Sequence, residues 1–119
     1  MIKIMNSYLA KLIFNIAIEN KNQTSQFDEQ IRLIQAKNAE DAFLKARALG
    51  KKEEDSFLNE NNKMVNWKFI DVADLYPLQG VKDGEQVYAL THETEDSDSF
   101  IQFIRQKSML IQTNFLTFA

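Results

Sequence analysis

At 119 residues, 45% apolar and 26% charged, the chain has the size and balance of one soluble domain, residues 1–119, whose core needs neither a disulfide nor a structural metal. It contains no cysteine and a single histidine, His92, which excludes thiol chemistry, thiolate metal sites and any multi-histidine centre within one chain. The net charge of −3 spreads 14 basic residues among 17 acidic ones, so no phosphate-binding surface is expected and nucleic acid is a poor partner.

The opening residues do not read as an export signal, because Lys11 and Asn15 interrupt the apolar run. No apolar run approaches the roughly 20 residues that span a bilayer, so a cytoplasmic protein without membrane contact is expected. From residue 8 to 19 the even positions are Tyr8, Ala10, Leu12, Phe14, Ile16 and Ile18, the period-two pattern of a long strand with one apolar face. A polar loop, 20–25, leads to a second strand, 26–37. Centring a hairpin on that loop sets Ile18 opposite Phe27, Phe14 opposite Ile31 and Leu12 opposite Leu33, so that Leu12, Phe14, Ile16, Phe27, Ile31 and Leu33 form one buried face. The other face then carries Lys11, Asn15, Gln30 and Arg32 among Leu9, Ile13 and Ile34.

Asn38 is placed to cap a helix over 38–50, with Ala39, Ala42, Phe43, Ala46 and Leu49 on one side and Gly50 as a left-handed terminator. Residues 51–63 read as a frayed turn and loop. A third strand over 64–76 slips in its alternation near Asp71 and ends at Pro77. Asp83 and Gly84 mark a tight turn before a fourth strand at 85–91. Beyond an acidic loop, Asp96 or Ser97 would cap a helix over 100–111, and Leu110, Ile111, Phe115, Leu116 and Phe118 need a cover, either the chain's own sheet or a second copy. The order ββαββα predicts an α+β fold: a two-layer sandwich of a four-stranded antiparallel sheet with helices on one face.

Several blocks together resemble a known bacterial family. YLAKLIF, EQIRLIQA with the helix NAEDAFLKARALG, VNWKFIDVADLYPL and DGEQVYAL are similar to the family called domain of unknown function 4288, over about residues 8–90. Its pattern is matched by Tyr8, Lys11, Leu12 and Phe14, by Glu29, Ile31 and Ala36, and by Ala42, Lys45, Ala46 and Gly50. Trp67, Phe69, Val72, Asp74, Leu75 and Tyr76 continue it, and Gly84, Val87 and Tyr88 close it. Asn15 departs from the pattern, where an acidic residue is common, and residues from about 93 onward form an extension outside it. The resemblance implies a small stand-alone fold and assigns no catalytic residue.

Several functional readings follow from the residues. Lys11, Asn15, Gln30 and Arg32 form a candidate interaction face, its charges separated by apolar residues that an ordinary wetted face would not need. Glu29, Trp67 and His92 define an alternative, a ligand-binding or enzymatic pocket between sheet and helices. His92 with Glu93, Glu95, Asp96 and Asp98 has metal-ligand chemistry but neither calcium-loop order nor helical spacing, and reads as an acidic approach to a helix N-terminus. Asp71 with Asp74 is a conceivable acid–base pair, and Tyr8, Trp67, Phe69 and Tyr76 a conceivable aromatic wall. With no nucleophile–base pair, no metal and no cofactor expected, the leading reading is a non-catalytic module that binds a protein, or itself, through its sheet face or C-terminal arm.

Overall fold

The computed structural model describes residues 5–21, 25–80 and 82–118, the last three by backbone alone. It has strands β1 (Asn6–Ile18) and β2 (Gln26–Ala36), helix α1 (Ala39–Lys52), strands β3 (Asp55–Leu58) and β4 (Met64–Leu78), and helix α2 (Ser97–Phe118). The four strands form one antiparallel sheet in the order β2-β1-β4-β3, so the fold is α+β with the order ββαββα. The chain divides into two compact units, Met1–Tyr88 and Ala89–Ala119.

The core of the first unit is built as period two dictates. Tyr8, Ala10, Leu12 and Phe14 of β1 are buried with Ile34 and Ala36 of β2, Phe69 of β4 and Ala42 and Ala46 of α1. Asn38 caps α1 through a 2.8 Å bond from the Asp41 N–H to its side chain. Ala42, Ala46 and Gly50 form a buried row at i, i+4, i+8 that lets the helix lie close on the sheet. Gly50 is therefore not a left-handed terminator. α1 runs two residues past it, and the glycine is there because Phe69 occupies the space that a Cβ would need.

The β1–β2 register differs from the symmetric hairpin by three residues. Tyr8 faces Ile34, Leu12 faces Gln30, Phe14 faces Asp28 and Ile16 faces Gln26. β1 overruns β2 because its end pairs with β4 instead, Ala17 with Asn66 and Ile18 with Val65, and Asn20 turns the chain in the left-handed region at φ 65°. An odd shift exchanges the faces of β2. Phe27, Ile31 and Leu33, expected inside, lie on the open face at 54–60% exposure, while Ile34 is buried. The helix face of β2 is completed by a polar ladder: Gln30 donates to Asp28 (2.7 Å), Arg32 donates to Gln30 (2.7 and 3.1 Å), and Arg32 is paired with Glu53 at the end of α1.

The fourth strand also lies elsewhere than at 85–91. β3 pairs with β4 through a hairpin whose turn is held by the Asn59 side chain, which accepts from the N–H groups of Asn61 and Lys63, and by Asn62 at φ 57°. The expected turn at Asp83 and Gly84 is present, with Gly84 at φ 83°, but 85–91 adds no strand. β4 carries the expected irregularity as two register shifts, opposite Ile13/Phe14 and Lys11/Leu12, and Pro77 is accommodated inside its last turn of pairing because β3 pairs only with the other end of the strand.

In the second unit, the Asp96 side chain accepts from the Ser99 N–H (3.1 Å) and hydroxyl (2.7 Å), capping α2 as expected. Its carboxyl is held below the usual range by the Ser99 hydroxyl first and the Ser99 N–H second. No helix among the described residues is long and apolar enough to cross a membrane.

Candidate functional site

The shifted register redistributes the expected interaction face. Lys11 and Asn15 lie on the open face of the sheet, whereas Gln30 and Arg32 lie on the helix face, in the ladder that ends at Glu53. Glu29, expected opposite Ile16, is opposite Ile13 on the open face. Trp67 is on the helix face, tilted against Phe14 with ring centroids 6.1 Å apart. His92 belongs to the second unit and stacks obliquely on Phe100 at 5.7 Å. The structure thus does not bring Glu29 and Trp67 together. Asp71 and Asp74 also separate, Asp71 pairing with Arg47 of α1 (2.9 Å) and Asp74 with Lys11 of β1. The aromatic wall is split in the same way, Tyr8 turning inward while Tyr76 turns outward.

What the open face does assemble is a cluster around Lys11. Its ammonium lies 3.4 Å from Asp74 Oδ2 and 4.0 Å from Glu29 Oε2, and 5.7 Å from the centre of the Tyr88 ring. Tyr88 in turn meets Tyr76 edge-on at 5.1 Å. Three strands and the segment after the Gly84 turn contribute to it, and β4 presents Asp74 opposite Lys11 and Tyr76 opposite Leu9 because its two register shifts together move the pairing by two residues. All five residues, Lys11, Glu29, Asp74, Tyr76 and Tyr88, are among those on which the family resemblance rests. Their convergence was not legible in the sequence because it depends on the bulges and on Tyr88 leaving the sheet.

The electrostatics describe what this cluster can do. Burial opposes the charge on Lys11, but Tyr88, Glu29 and Asp74 outweigh it and hold its pKa above the ordinary lysine value. A lysine so firmly protonated is a poor nucleophile or base and a good fixed cation. Burial, then the charge of Asp74, raises the Tyr76 phenol, which stays a neutral donor. The space enclosed by Leu9, Lys11, Ile31, Tyr76 and Tyr88 is about 10 Å³, enough for one water at most. Around the cluster the surface is open and apolar, with Phe27, Ile31 and Leu33 exposed. Among the described residues no three His, Asp or Glu side chains gather as metal ligands would.

On α2, Leu110, Ile111 and Phe115 are exposed at 56–67%. The side chains of Leu116 and Phe118 lie outside the described residues.

A family model described as Domain of unknown function (DUF4288) matches residues 7–89, within a residue of the extent that the sequence blocks suggested at each end. No curated protein and no solved structure matches the chain.

Proposed function

We propose that this chain, which belongs to the DUF4288 family, acts as a non-catalytic binding module whose first unit meets a protein partner through the open face of its sheet. The observation that carries this reading is the exposure of Phe27, Ile31 and Leu33 in one row of β2, beside a charge-compensated and nearly void-free cluster at Lys11. A surface with an apolar row along its edge strand, beside fixed charges on its central strands that enclose space for one water at most, suits another protein surface better than a small molecule, which needs a concave site.

The test is affinity capture from the native host with three baits: the wild type, Leu33→Asp on the open face, and Leu44→Asp at an equally apolar, exposed site on α1. A protein retained by the wild type and Leu44→Asp but lost with Leu33→Asp supports the reading. A partner held equally by all three refutes it.

A further inference from the structure

A strand at the edge of a sheet offers half of its backbone groups to another strand, and long, straight, apolar edges are ordinarily blunted by proline, bulges or lysine. β2 is such an edge; it carries Asp28, Glu29 and Arg32 but none of these three devices. It is 11 residues long, pairs with β1 without a register shift, and contains neither proline nor lysine. Its outward-facing groups can be identified. Lys45 Nζ donates to the Gln35 carbonyl from the α1 side, and the Gln26 carbonyl accepts from Asn15 of β1, so the odd residues of β2 turn their backbone away from the sheet and the even ones toward it. Phe27, Glu29, Ile31 and Leu33 therefore combine free backbone groups with side chains on the open face.

We propose that β2 pairs antiparallel with β2 of a second copy of this chain about a two-fold axis at Gln30, joining two four-stranded sheets into one. This register makes two kinds of complementary pair, each formed twice, and also sets Glu29 beside Ile31 of the second copy on the open face, where the carboxylate stays in water. Phe27 faces Leu33 of the second copy and Leu33 faces its Phe27, so the apolar pairs form twice. On the helix face Asp28 faces Arg32 of the second copy, again twice. Centring the axis on Glu29 or Arg32 stacks like charges on it, and centring it on Ile31 loses both Asp28–Arg32 pairs, since Asp28 then faces Ile34 and Arg32 faces Gln30. An axis perpendicular to the sheet keeps both copies of α1 on one face and makes the two open faces continuous. The inference goes beyond the partner-binding role and stands without it.

Sedimentation of the full chain over a range of concentrations reads the pairing directly, and the wild type is expected to dimerise. Asp28→Arg sets Arg against Arg twice and should weaken the dimer by roughly tenfold or more. Arg32→Asp should do the same by setting Asp against Asp. Mixing the two variants restores both ion pairs, so native mass spectrometry should show the mixed dimer in preference to either homodimer. Because the chain has no cysteine, Gln30→Cys provides an independent arm. Two residues on the axis lie at roughly 4.5–5.5 Å between Cα atoms, within disulfide range, whereas Gln35→Cys faces Ser25 of the second copy and should not cross-link to itself. Should Arg32→Asp fail to fold without its bond to Glu53, Asp28→Arg and the cysteine arm decide together. A wild type that stays monomeric overturns the proposal. So does a dimer that ignores Asp28→Arg and does not cross-link through Gln30→Cys, which would move the contact to another surface such as α2. Asp28 and Arg32 lie on the helix face, so these variants leave a partner bound to the open face in place.

Discussion

A Cβ built on Gly50 would lie 2.3 Å from Cε1 of Phe69 and 2.4 Å from its Cδ1, with the ring already buried in the core. Helix propensity alone favours alanine at an interior helical glycine by about 1 kcal/mol. Overpacking a filled core costs about 1–3 kcal/mol, and here the obstacle is a rigid ring, so Gly50→Ala should lower the urea midpoint. Shortening the neighbour makes room: Gly50→Ala combined with Phe69→Leu should cost less than the sum of the two single changes. The same residue shows why a sequence misleads at this scale. A glycine after a helical run has the pattern of a terminator, and only the position of an aromatic ring 19 residues later distinguishes a cap from a close approach. Asp71 gives a second residue-scale expectation. Its carboxyl is held below the usual range by its hydrogen bonds to Arg47 first and by the Val72 N–H second. A carboxyl with a depressed folded pKa stabilises the fold above the range where an unfolded aspartate titrates, and the effect is lost as pH falls through the lower, folded value. Asp71→Asn should therefore be less stable than wild type at neutral pH, with the gap in denaturation midpoints closing on acidification.

At the scale of elements, the alternation in β1 was legible because one face is wholly apolar over Tyr8, Ala10, Leu12 and Phe14, and α1 was legible from Asn38 and its alanine spacing. β2 was not. Its even residues Asp28, Gln30 and Arg32 are polar and its odd ones Phe27, Ile31 and Leu33 apolar, so hydrophobic matching chose the wrong face; what satisfies the observed face is the hydrogen-bonded ladder to Glu53, a tertiary feature. β3 was missed because four exposed residues carry no periodic signal, although the asparagines of NENNK are the mark of a tight turn. The register makes a sharp contrast testable. Phe14, 1% exposed between Trp67 and Phe69, should lose about 3–5 kcal/mol on replacement by alanine, whereas Leu33→Ala, at 60% exposure, should stay within about 0.5 kcal/mol, both read by chemical denaturation at low concentration, where self-pairing does not contribute. A Leu33→Ala as costly as Phe14→Ala would restore the symmetric hairpin, in which both residues are buried.

For the whole molecule, the order ββαββα and the extent of the family-like region were legible because each rests on several elements at once, so that exchanging one strand for another left the class intact. The candidate site was legible only as a list of scattered matches; its assembly needed the bulges of β4 and the placement of Tyr88. The division at Tyr88 and Ala89 now sets an expectation for the chain as a whole. The buried core of the first unit is drawn from Tyr8, Ala10, Leu12, Phe14, Ile34, Ala36, Ala42, Ala46 and Phe69, with Leu49, Trp67, Val72 and Leu75 packed around it, and Tyr88 completes the Lys11 cluster. A fragment of residues 1–90 keeps all of these. It should show a single cooperative thermal transition, with near-ultraviolet circular dichroism from Trp67 and the tyrosines preserved, because cooperativity follows the continuity of a packed core. By contrast, a peptide of residues 91–119 should lose much of its helix in water, since a lone helix without a buried face is marginal even at this length. Loss of the cooperative transition in the 1–90 fragment would show that its core depends on residues beyond Leu90.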